Sequence, residues 1–137
     1  MRWIVWLPVS FVLSLPVGAA FAQQCGADLK GAQKVESARY IVAYRTQPGK
    51  IAIGRNFTMD LAICPKAGNP AADGVQVDAQ MPEHGHGMNY KAAIKPAGNG
   101  RFHADGMMFH MPGRWELSFD VKSGGKTDRL THSIVLE

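Results

Sequence analysis

The 137-residue sequence contains no cluster of basic residues: its 15 Lys and Arg stand singly along the chain against 11 Asp and Glu. The electrostatic footprint of a nucleic-acid-binding protein is therefore missing. Charged residues make up only 19% of the chain. The catalytic signatures are also absent, with no Gly-x-Ser-x-Gly, no His-Glu-x-x-His, no phosphate-binding glycine loop and no paired carboxylates, so the sequence predicts no enzyme. Cysteine is scarce, with two residues and no Cys-x-x-Cys. Long helical patterns are lacking as well, because 15 Gly and 8 Pro punctuate the chain at intervals that suit short strands joined by turns.

The one long apolar run lies at the amino terminus. Met1-Arg2 opens it, Trp3 to Val17 is apolar apart from Ser10 and Ser14, and Ala20-Phe21-Ala22 carries the small-x-small pattern of a signal peptidase site. Residues 1–22 are thus expected to be a cleaved signal peptide. With Pro8 and Pro16 inside it, the run is short for a bilayer span, and the mature protein is expected to be periplasmic or secreted and not membrane-spanning. Cys25 and Cys64 then sit where disulfides persist, and a bridge between them would contribute about 3 to 4 kcal/mol by restricting the unfolded chain. It would tie down residues 23–37 against a domain formed by residues 38–137. The competing reading makes the two thiols metal ligands or redox groups.

Alternation supplies the fold. Phe57, Met59, Leu61 and Ile63 are apolar against the polar Asn56, Thr58 and Asp60, and the same period recurs at Val75, Val77, Ala79 and Met81, and again at Trp115, Leu117, Phe119 and Val121. Weaker strands are expected over residues 40–45, 90–95, 101–105 and 130–136, and only residues 28–37 offer a helical reading. The expectation is an all-β, immunoglobulin-like antiparallel β-sandwich of about seven strands.

Histidine and methionine gather in two windows. The first is Met81-Pro82-Glu83-His84-Gly85-His86-Gly87-Met88, and the second is Met107-Met108-Phe109-His110-Met111-Pro112-Gly113. In an extended segment His84, His86 and Met88 share a side. Both windows fall at strand ends, so they are expected to meet at one end of the sandwich. Imidazole binds both copper oxidation states, and neutral thioether sulfur favours Cu(I) and survives in an oxidising compartment. Zinc sites draw more on Cys, His and carboxylate, and calcium needs clustered oxygens that are not present. The expected ligands are His84, His86 and His110, with Met88 and Met111 favouring Cu(I) and Glu83 either adding an oxygen or orienting a histidine. Met81, Met107 and Met108 read more as core filler than as ligands, and His-Gly-His reads otherwise as a plain exposed loop. His103 and His132 are read as structural.

The segments Met-Pro-Glu-His-Gly-His-Gly-Met-Asn-Tyr at 81–90 and Gly-Met-Met-Phe-His-Met-Pro-Gly-Arg-Trp-Glu-Leu at 106–117 resemble the YtkA-like domain of exported bacterial proteins. That resemblance implies an immunoglobulin-like sandwich related in shape to small periplasmic copper-binding domains and to the extracytoplasmic part of FixH-type oxidase-assembly proteins. Two functions follow as expectations. The first is a periplasmic copper protein that buffers the ion or delivers it to a cuproprotein or a membrane oxidase-assembly partner. The second is a metal-free interaction module that assists a membrane complex.

Overall fold

The computed structural model describes residues 24–137; the expected signal peptide and its cleavage site lie outside the described residues. Among the described residues nine strands follow one another: β1 Gln33–Glu36, β2 Tyr40–Gln47, β3 Asn56–Pro65, β4 Gly74–Met81, β5 His86–Gly87, β6 Ala93–Gly98, β7 Arg101–Met108, β8 Gly113–Ser123 and β9 Lys126–Leu136. They form two antiparallel sheets, ordered β1-β2-β3-β7-β6 and β5-β4-β8-β9. The chain changes sheet between β3 and β4, between β5 and β6, and between β7 and β8, which interlocks the layers as in immunoglobulin-like sandwiches. The alternating segments supply the facing surfaces. Phe57, Met59, Leu61, Val77, Met81, Trp115, Leu117 and Phe119 all lie in one buried core between the sheets. Fully burying a side chain of this size contributes about 1.5–3 kcal/mol.

The seven expected strands are present, and the two additional ones are short. β5 has two residues, too few to show a period. β1 occupies part of the segment with a helical reading. There Val35 opposite Val42 and Glu36 opposite Ile41 extend the edge of β2, because an open strand edge offers hydrogen bonds that a short isolated helix cannot match.

β2 is buried on both faces. Tyr40, Val42 and Tyr44 belong to the main core, whereas Ile41 and Ala43 face outward with Ala62 and are covered by Cys25, Leu29 and Ala32. A Cys25–Cys64 disulfide holds this cover, with a Cα–Cα distance of 6.0 Å. The approach is close enough to require glycine next to Cys25: Gly26 has φ +68°, and a Cβ there would lie 2.5 Å from that of Ala43. Arg101 adds an ion pair to Asp28. His103 on the outer face bonds Asp60 at 2.8 Å, and Asp60 also receives Arg45 at 3.0 Å. The His103 contact, reinforced by Arg45 against the opposing effect of partial burial, holds the Asp60 carboxyl below its ordinary range. His132 pairs through Nδ1 with the hydroxyl of buried Tyr44, whose pKa burial pushes up to about 12. Both histidines are thus committed to local partners.

One irregularity controls the end of the sandwich that carries the two windows. Met59 pairs with Ala104 and Phe57 with Met107, so Asp105 and Gly106 together stand opposite the single Thr58. This β-bulge, with Gly106 at φ +76°, reverses the phase of β7. Phe102 and Ala104 point inward before it. Met107 and Phe109 point inward after it, and both are fully buried.

Candidate metal centre

The phase reversal at Gly106 takes His110 off the core-facing side. Its neighbours are both anchored. Phe109 packs against Phe57 and Trp115 with ring centres 5.0 and 4.7 Å apart, and its carbonyl accepts a hydrogen bond from Gly54 N–H at 2.8 Å. The carbonyl of Met111 accepts the Trp115 indole N–H at 3.0 Å. His110 is therefore presented from a fixed backbone, half-buried, with its ring edge-on to Trp115 at 5.3 Å.

The first window reaches the same place by a tight turn. Met81 ends β4, its carbonyl accepts the backbone N–H groups of His84 and Gly85 at 3.1 and 3.0 Å, and His86 then pairs back onto Met81 to begin β5. The result is a row of three imidazoles. His84 and His86 have ring centres 5.8 Å apart, and His86 and His110 are 5.3 Å apart. An imidazole nitrogen bonds a metal at about 2 Å, placing the ring centre about 3 Å away, so two rings sharing an ion have centres about 4.5–6 Å apart. Both observed spacings fall within that range. The planes of neighbouring rings are inclined by 38° and 30°, closer to a stack than to a convergent fan. Among the described residues no group of three or more His, Cys, Asp or Glu side chains is disposed to hold a metal ion as it stands. Coordination by the row requires ring rotation, which the exposure of His84 and His86 permits.

The remaining expected ligands lie around the row in different states. Glu83 is exposed and bonded to Arg114 Nε at 2.8 Å. Met88 and Met111 are half-buried and pack against the main core, whereas Met81 and Met107 are wholly inside it. Cys25 and Cys64 are bonded to each other and are not ligands. The unmet demand in the region is on His110, whose Nδ1 is buried without a hydrogen-bond partner. Buried polar atoms are nearly always paired, so this nitrogen is an exception in the region.

The sequence matches the YtkA-like family over residues 35–120, more than half of the chain and inclusive of both windows. The chain belongs to the YtkA-like family. A solved DUF4426 family protein from Pseudomonas aeruginosa is similar at 11% identity with a TM-score of 0.49, covering 79% of this chain and 98% of that one. No curated protein matches the chain.

Within this YtkA-like domain three contributors escaped the sequence reading. Trp115 reads there only as a core residue, yet its ring backs His110 and its N–H fixes Met111. Arg114 reads only as the polar neighbour of Trp115, and its pairing with Glu83 depends on β4 lying beside β8. Gly106 carried a legible signal, a glycine next to aspartate inside a strand, which marks a bulge.

Proposed function

We propose that this YtkA-like protein is an exported copper-binding protein that holds one ion among His84, His86 and His110 at one end of its sandwich. The disulfide suits an oxidising compartment such as the periplasm. The observation that carries the reading is the row of three imidazoles drawn from two separate segments, in which each neighbouring pair, His84–His86 and His86–His110, has a spacing compatible with a shared ion. His110 is held by the core while His84 and His86 are exposed. An arrangement with one anchored and two accessible ligands suits exchange, so the protein buffers copper or passes it to a cuproprotein or a membrane oxidase-assembly partner.

The test is titration of the exported protein with copper and zinc, followed by chelator competition. One equivalent of tightly held copper is expected, and replacing His84 and His86 together by Ala should abolish it while circular dichroism stays that of the parent. A parent that binds no copper, or a double variant that binds as well as the parent, refutes the proposal. The second reading, a metal-free interaction module, draws on the stacked rather than convergent imidazoles and on the Glu83–Arg114 pair beside them. Absence of stoichiometric binding would favour it.

A further inference from the structure

The sheet β5-β4-β8-β9 ends on β9, an eleven-residue strand with β8 as its one strand partner among the described residues. Every second residue of such an edge points its backbone N–H and C=O away from the neighbour it has, where another strand can pair. Proline, a bulge or spread charge ordinarily blunts an edge of this length. β9 has no proline and keeps unbroken register with β8, from Leu136 opposite Gly113 to Lys126 opposite Ser123. Its charges are confined to Lys126, Asp128 and Arg129, and no Lys, Arg, Asp or Glu occurs from Leu130 to Leu136. Asp128 is taken up by Ser37 and Arg39. At the other end Val135 is 68% exposed, and an open groove between residues 49–51 and 134–137 lies along that half of the strand.

The outward row of this edge is complementary to itself. Arg129, Thr131, Ser133, Val135 and Glu137 are exposed. Laid antiparallel to a second copy about Ser133, the row sets Arg129 opposite Glu137, Thr131 opposite Val135 and Ser133 opposite Ser133. On the other face Leu130 meets Leu136 and His132 meets Ile134. An axis one residue earlier sets Arg129 against Val135, and one residue later carries Arg129 past Glu137, so charge singles out Ser133. Arg129 already engages Asp120 through Nε and Nη2, both at 2.7 Å, and its fork retains Nη1 for a second carboxylate. Glu137 has no ion pair among the described residues.

We propose that β9 is a self-pairing edge: two copies of this chain join antiparallel about a two-fold axis at Ser133, merging their β5-β4-β8-β9 sheets and closing two reciprocal Arg129–Glu137 pairs. The pairing is independent of the copper reading.

Sedimentation of the oxidised, exported protein with a chelator present tests it. The parent should show a reversible monomer–dimer equilibrium at micromolar concentrations. Arg129→Glu and Glu137→Arg should each weaken the dimer by about tenfold or more, and an equimolar mixture of the two should restore it, because only the mixed pair opposes unlike charges at both ends. Directly opposed residues have Cα atoms about 4.5–5.5 Å apart, within disulfide range, so Ser133→Cys should cross-link on oxidation. Thr131→Cys should not, since its counterpart lies about 13 Å along the partner strand. If Arg129→Glu, which faces Asp120, fails to fold, Glu137→Arg and the two cysteine variants still decide. A mixture no stronger than either single variant, or equal cross-linking at both positions, overturns the register. A parent that stays monomeric throughout overturns self-pairing and leaves the edge to an extended segment of another protein.

Discussion

Replacing Gly106 by Ala perturbs the bulge that sets the facing of everything between β7 and β8. Its φ of +76° lies in the left-handed region, and a Cβ added there would meet no atom within 4 Å. No collision contributes, so the cost is the backbone penalty alone, about 1–2 kcal/mol for a non-glycine residue. At about 4–8 °C per kcal/mol for a small domain, the midpoint of thermal unfolding should fall by roughly 5–15 °C. Asn tolerates the left-handed region better than Ala, so Gly106→Asn should be the milder change. Deleting Gly106 is a different perturbation. Strict alternation through Phe102 and Ala104 would then turn the wholly buried Met107 and Phe109 out of the core. Losing two such side chains at about 2–5 kcal/mol each rivals the whole stability of a typical domain, about 5–15 kcal/mol. Urea unfolding of the oxidised protein, followed by far-ultraviolet circular dichroism and Trp115 fluorescence, measures both variants. An Ala variant within about 0.5 kcal/mol of the parent, the range of a neutral surface substitution, would refute the bulge argument. So would a deletion variant of parental stability.

Two further outcomes are expected. Asp60, whose folded carboxyl is held low by His103 and Arg45, contributes stability that is present above its ordinary value of 3.8 and lost as pH falls from there through the depressed folded value. Urea midpoints of the parent should therefore drop more steeply below about pH 4 than those of Asp60→Asn, and equal slopes would show that the pair contributes nothing. Replacing Cys25 and Cys64 by Ser frees a cross-link spanning a sequence separation of 39. This should cost about 4 kcal/mol through loop-closure entropy, uncover Ile41, Ala43 and Ala62, and leave copper affinity unchanged. Loss of copper binding in a folded Ser variant would contradict the separation of the staple from the proposed copper site.

Much of the architecture was legible because burial on one face of a strand imposes a period of two, and the runs around Met59, Val77 and Leu117 display it, broken in the first only at Ala62. The same rule explains what was not legible. β2 is covered on both faces, so Tyr40 to Tyr44 show no alternation, and the cover comes from the Cys25 turn held across its outer side. β1 exists because β2 leaves an edge to be extended, a condition external to its own four residues.

The sequence by itself determined the sandwich class, the membership of the YtkA-like family and the concentration of His and Met in two windows, since periodicity and motif are local properties. Only the tertiary structure decided which of those side chains meet. The bulge at Gly106 moves His110 off the core-facing side, the turn after Met81 brings His84 and His86 beside it, and Trp115 backs the row. Met88 and Met111 carry the same ligand chemistry in the sequence as in the fold, yet they pack against the core. The reason is physical: side-chain chemistry is written residue by residue, whereas its availability depends on which apolar surfaces the sheets must cover when they close.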